Sequence, residues 1–207
     1  MMDRRTFIKR VAGSLLVVPM PAPAQQTGGG RHIGILTAGT ISGDWPLFVG
    51  LRERGWIEGE NLVIERRGAG GKAELVPGFA EELVQLRPDV IVATGSVASL
   101  AAKNATTTIP LVTITGDPVL IGLVPSMSRP GGNITGTSTV SPELAAKRLE
   151  LLRELRPNAK RVGELVDPAN PYFKLIRKDN EQIYRTLGME PLFVDVADAT
   201  QLERAIA

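Results

Sequence analysis

The chain has 207 residues, 43% hydrophobic and 22% charged, with 22 glycines, 15 prolines and no cysteine; it is too apolar for disorder and long enough for about two domains at most. The absence of cysteine, with a single histidine at His32, excludes a disulfide scaffold, a thiolate nucleophile, a Cys-ligated metal and any two-histidine metal site. An isoelectric point near 9.1 suggests nucleic acid, but the first 24 residues hold four of the 24 basic side chains and one of the 22 acidic ones. Without them 20 bases face 21 acids, a net charge of −1, and the remainder has no electrostatic reason to seek phosphate.

Residues 1–10 are basic, 11–20 form a short apolar run, and Ala22-Pro23-Ala24 supplies the small-x-small pattern that a signal peptidase reads. The expectation is a signal peptide over 1–24, with cleavage before Gln25, export to the periplasm, and a flexible leader over 25–30. The run is too short to span a bilayer as an ordinary helix. RRTFIK at 4–9 also resembles a twin-arginine export signal, with Asp3 standing where that pattern prefers Ser or Thr; both export routes stay open.

From Arg31 onward strands and helices alternate. IGIL at 33–36 is a short buried strand, 45–54 a helix closed by Gly55, and NLVIE at 61–65 a second strand. Residues 73–86 have helical spacing, with Leu75, Val76, Phe79, Ala80, Leu83 and Val84 on one face and Glu74, Glu81, Glu82 and Gln85 toward water. VIVA at 90–93 is a fully apolar strand, 96–103 a short helix and LVTI at 111–114 the next strand. Apolar strands separated by helices predict a doubly wound parallel α/β sheet, covered on both faces.

RPGGN at 129–133 is a dense turn signal. Ser141-Pro142 then opens a helix, serine as N-cap and proline at the first helical position, with Leu144, Ala145, Leu149, Leu152 and Leu155 as its buried face and Pro157 as its stop. The cycle restarts with a strand at 162–166, a turn at 167–171, a helix at 173–187, a strand at 192–196 and a helix from near Thr200. This divides the chain into a first lobe over 31–140 and a partial second lobe over 141–207. A lobe of ordinary size needs on the order of 100 residues, and 67 remain from Ser141; the expectation is a second lobe cut short.

Several apparent motifs do not carry chemistry. GAGGK at 68–72 resembles a phosphate loop, but Walker spacing needs glycine where Arg66 stands and Ser or Thr where Ala73 stands. No G-x-S-x-G elbow occurs. His32, at a strand start, reads as structural. Two formal glycosylation sequons, at Asn104 and Asn133, say nothing in a chain with a bacterial export signal. Glu81-Glu82 lies on a solvated helix face. No catalytic residues, cofactor or metal are expected.

RHIGIL at 31–36, GWIEGENL at 55–62, PDVIV at 88–92, IPLV at 109–112, GDP at 116–118, GLV at 122–124, RPGGNITG at 129–136, KRLELL at 147–152 and Asn170-Pro171 together carry a resemblance. By their order and spacing the chain, from about Arg31 to Ala207, resembles the ABC-transporter substrate-binding family of type I periplasmic binding proteins, which includes bacterial tryptophan and tyrosine binding proteins. The resemblance implies two α/β lobes joined by hinge segments, closing on a small ligand that is handed to a membrane permease. The departure is in the second lobe, much of which is missing, so a truncated, non-binding remnant is the alternative. An enzyme on the same sheet lacks a glycine fingerprint after the first strand, and a transcription-regulator sensor domain lacks a DNA-binding headpiece.

Ligands of open parallel sheets sit outside the carboxyl ends of the strands. There, Thr94, Gly95 and Ser96 offer a close backbone approach, hydroxyls and helix-start N–H groups for a carboxylate; the other reading of Ser96 is an N-cap. Asp117 can pair with an ammonium or simply form a turn before Pro118. Trp45 can stack on a planar ligand or pack as a helix start. Asn170 and Tyr172 occupy the mirror position in the second lobe, and Ser138 lies near the expected crossing. An aromatic amino acid suits a loop tryptophan.

Overall fold

The computed structural model describes residues 30–43, 45–139, 142–197 and 199–206. The expected signal peptide and most of the leader lie outside the described residues. Gly30 lies against the backbone of Asn61. The elements are β1 (Arg31–Thr37), α1 (Pro46–Glu53), β2 (Leu62–Gly68), α2 (Val76–Gln85), β3 (Val90–Thr94), α3 (Ser96–Ala105), β4 (Leu111–Thr115), β5 (Ile134–Ser138), α4 (Pro142–Leu155), β6 (Arg161–Val166), α5 (Pro171–Thr186), β7 (Glu190–Asp195) and α6 (Ala199–Ile206).

Five strands form one parallel sheet in the order β2-β1-β3-β4-β5, and β6 and β7 pair in parallel as a second. The chain moves outward from β1 to β2, then returns past β1 to β3 and on to β4. Right-handed crossovers therefore place α1 on one face and α2 and α3 on the other. Leu36, Ile91, Ala93 and Leu111 pack with Val76, Ala80 and Leu83 of α2 and Ala98 and Ala102 of α3. On the opposite face the guanidinium of Arg66, the register partner of Ile35, lies 4.7 Å from the ring centroid of Phe48 in α1. The fold is the doubly wound α/β architecture that the apolar runs predict.

The differences are local. Burial on both faces holds for the centres of β1 and β3, whereas β2, β4 and β5 alternate or stay largely open; β2 and β5 are edge strands. The second strand runs on through Arg66 and Arg67, whose charges are met by Glu58 and Glu82. Residues 73–75 form a separate 3-10 turn, and the α-helix starts at Val76 with Pro77 in its first turn. The tighter winding turns Leu75 off the buried face, and it is exposed. On α4, Leu149 is buried and Leu152 partly so, but Leu144 and Leu155 are exposed, Leu155 by 78%. The second sheet has two strands among the described residues, too little surface to cover a helix of this length. Ser141, the expected N-cap of α4, lies outside the described residues.

Candidate functional site

Strand order reverses between β1 and β3, and the crevice outside the carboxyl ends at such a switch point is where open α/β sheets bind ligands. Thr37 and Thr94 end those strands side by side in register. Gly95 follows with φ +84°, a left-handed conformation that favours glycine, and a Cβ there would meet nothing within 4 Å. Its N–H donates to the Ile114 carbonyl at 2.7 Å, so the backbone is pinned while its open side faces free space.

Gly95, with no side-chain cap, occupies the N-cap position of α3. The N-cap reading of Ser96 is therefore incorrect: Ser96 is the first helical residue, and its buried hydroxyl lies 3.1 Å from the Thr115 hydroxyl. Sequence reasoning missed Thr115. It is buried at the end of β4 and its carbonyl accepts from both the N–H and the hydroxyl of Thr139, at 2.9 and 3.1 Å. The signal for it was its phase: Leu111, Thr113 and Thr115 share the covered face of an alternating strand.

Asp117 folds its carboxylate onto the turn that follows, Oδ1 accepting from the N–H groups of Val119 and Leu120 at 2.9 and 3.0 Å. That is the turn-forming role, and Asp167 makes the same kind of turn after β6, accepting from Ala169 N–H at 2.8 Å. The Ser138 hydroxyl donates to the Gly116 carbonyl at 2.7 Å, tying the ends of β4 and β5 together. Asn170 caps α5, its Oδ1 accepting from the Tyr172 N–H at 3.0 Å.

Tyr172 brings the two sheets together. Its side chain is 8% exposed, and its ring lies against Gly116, so closely that a Cβ on that glycine would sit 3.3 Å from two ring carbons. Burial pushes its hydroxyl pKa up; the charge of Asp117 adds to the rise and that of Arg148 opposes it. The phenol is un-ionised at neutral pH and feels charges of both signs, from Asp117 after β4 and from Arg148 of α4. Thr94, Gly95, Ser96, Asp117, Ser138, Asn170 and Tyr172 are joined by these contacts into one continuous region. Trp45 stands apart from that chain of contacts. It precedes α1 and meets Phe48 edge-on with centroids 5.9 Å apart, which is the packing role. His32 lies at the far, amino end of β1, where its backbone N–H and C=O pair with the side chain and N–H of Asp89, each at 2.8 Å.

The arrangement brings hydroxyls, one carboxylate and the open side of Gly95 to the carboxyl ends of the strands, with Gly116 covered by the Tyr172 ring. Among the described residues no group of three or more His, Asp or Glu side chains could hold a metal ion, and no helix is long and apolar enough to cross a membrane.

Residues 46–186 match the family model of ABC transporter substrate binding proteins. A tyrosine-binding protein of Clostridioides difficile (strain R20291) is 34% identical over 158 residues, 76% of this chain and 45% of that protein. Among solved structures, a conserved domain protein of Vibrio cholerae superposes with a TM-score of 0.75 at 26% identity, over 84% of this chain and 60% of that one. An ABC domain from Streptococcus pneumonia, solved in complex with L-Trp, gives 0.73 at 23% identity, over 86% and 61%. The chain thus spans 45% to 61% of the length of these relatives. The matched span and the shared fold agree: the chain belongs to the ABC transporter substrate-binding protein family, built on the architecture of type I periplasmic binding proteins.

Proposed function

We propose that the chain is the ligand-binding body of an exported solute receptor that delivers a small molecule to an ABC permease, with lobes meeting near residue 140 and no chemistry of its own. The observation that carries this reading is the ring of Tyr172 on Gly116, which sets groups from the second sheet against the strand ends of the first. The ligand we favour is an aromatic amino acid. Hydroxyls and helix-start N–H groups at Thr94, Gly95 and Ser96 suit a carboxylate, and Asp117 suits an ammonium. Asn170 and Tyr172 face them from the second sheet and Ser138 closes the crossing beside Gly116, while stacking by Trp45 is not part of this reading because its ring packs on Phe48. The relative named a tyrosine-binding protein supports that class.

The test is calorimetric titration of the purified protein with L-tyrosine, L-tryptophan and L-phenylalanine, with L-leucine as the aliphatic comparison. Saturable binding of at least one aromatic ligand, weakened about tenfold by Asp117→Ala, a change worth about 1.4 kcal/mol, is the expected result. Tighter binding of leucine, or an Asp117→Ala variant as tight as the parent, overturns the ligand assignment. Export is read separately: the intact mass of the periplasmic form is expected to correspond to an amino terminus at Gln25.

A further inference from the structure

Two glycines of the cleft, Gly95 and Gly116, are there for opposite reasons. Gly95 has a left-handed backbone and open space beside it. Gly116 is absent from the positive-φ glycines, so its own backbone tolerates a side chain. What excludes a Cβ is the Tyr172 ring, whose Cδ2 and Cγ would lie 3.3 Å away and whose Cε2 would lie 3.6 Å away. Cγ is the ring atom nearest the backbone, so flipping the ring leaves the obstruction in place.

Neither side of this contact has slack. Beneath it, the Gly116 carbonyl is held by Ser138, Thr115 by Ser96 and Thr139, and Asp117 by its own turn. Above it, Asn170 caps the turn that carries Tyr172. Further along α5, Phe173 and Tyr184 both meet Phe193 of β7 edge-on, at 5.6 and 6.3 Å between centroids. The Tyr184 hydroxyl donates to Glu164 of β6 at 3.0 Å. The ring is thus mounted on the second sheet and the glycine on the first.

We propose that Gly116 and Tyr172 form a contact stop that limits how closely the two lobes approach, with Gly116 as the positioning residue that sets the width of the cleft. The bare Cα admits the ring to full depth; each carbon added at 116 holds the lobes further apart. Calling the gap a cleft rests on the receptor reading above, but the stop operates without ligand. Its test is therefore made on ligand-free protein and is independent of whether any amino acid binds.

The chain has no native cysteine, so Glu60→Cys and Lys178→Cys, both at exposed positions, place one spin label on each lobe. The distance between labels is measured by pulsed electron resonance. Gly116→Ala is expected to move the contact by only a few tenths of an ångström, since a Cβ 3.3 Å from the ring relaxes to the roughly 3.5–4.0 Å at which carbons pack. Gly116→Trp, which sets a second ring between the Cα and Tyr172 at that spacing, is expected to lengthen the mean distance by about 3 Å. Adding Tyr172→Ala to Gly116→Trp is expected to bring the distance back toward the parent value. An unchanged distance in Gly116→Trp overturns the proposal, as does a lengthening that persists in full once the ring is removed. Should the glycine variants lose their circular dichroism, Tyr172→Ala alone decides: a shorter or broader distribution supports the stop, and an unchanged one overturns it.

Discussion

The two sheets of this molecule follow the same β-α-β rule and reach different degrees of burial. In the first, Leu36, Val76, Leu83, Ile91 and Leu111 are essentially inaccessible to solvent, because helices cover both faces of β1 and β3. In the second, the buried cluster is Leu149, Tyr184 and Met189. Leu165 and Leu192, neighbours on the other face by register, are 46% and 48% exposed. The helices α4 and α5 shelter one face of β6 and β7, so burial alternates along β6 as it would in a half-covered sheet. Strand chemistry is alike in the two; the number of layers differs.

The sharpest way to break this comparison is to truncate matched leucines. Leu83→Ala is expected to cost about 2–5 kcal/mol in urea denaturation, as deletions in closed cores do, and Leu192→Ala under about 0.5 kcal/mol. Equal losses would mean that the second sheet is covered in solution by something beyond the described residues.

A smaller effect probes the polar interior beside the second sheet. Glu164 lies on the sheltered face of β6, accepting from the hydroxyl of Tyr184 and from Asn180. Tyr184→Phe is expected to cost about 1–2 kcal/mol by leaving the carboxylate short of a donor. Burial first, then the charge and hydrogen bond of Glu164, raise the Tyr184 pKa above the usual range. The phenol's contribution is therefore full below the ordinary tyrosine pKa and lost as pH rises above it. Denaturation midpoints in alkaline buffer should fall for the parent and flatten in Tyr184→Phe.

The smallest effect lies at the edge of the first sheet. Arg66 grips Glu58 with two donors, and the hydrogen bond holds the Glu58 carboxyl below its usual pKa. The contribution is present above the ordinary glutamate range and is lost as pH falls through and below it. For so exposed a pair, Glu58→Gln should remove only a few tenths of a kcal/mol, visible as a shallower acid limb in the stability profile.

Sequence patterns carried the layout well where a local rule sufficed. Apolar runs marked β1, β3 and β4, and Asp117 before Pro118 marked a turn; the helix expected from Phe173 starts two residues earlier, at Pro171, with Asn170 as its cap. They misled where the deciding partner was remote. Leu144 and Leu155 have helical spacing, but spacing cannot report whether a surface waits opposite. Ser96 has the residue type of an N-cap, yet Gly95 can adopt the conformation that the cap position needs, and that freed the hydroxyl to meet Thr115 nineteen residues on. The packing of Tyr172 on Gly116 was invisible for the same reason. Each residue was noticed in its own segment, and nothing local couples a glycine on one sheet to a ring on the other.

The placement of the aromatic side chains has one more consequence, an optical one. The chain has two tryptophans and two tyrosines. Trp45 and Trp56 flank α1 of the first sheet, while Tyr172 and Tyr184 both ride on α5 of the second. Donor and acceptor chromophores are thus sorted by sheet without any engineering. Light absorbed by the tyrosines and re-emitted by the tryptophans must cross from the second sheet to the first, so the native emission spectrum is itself a gauge of their separation.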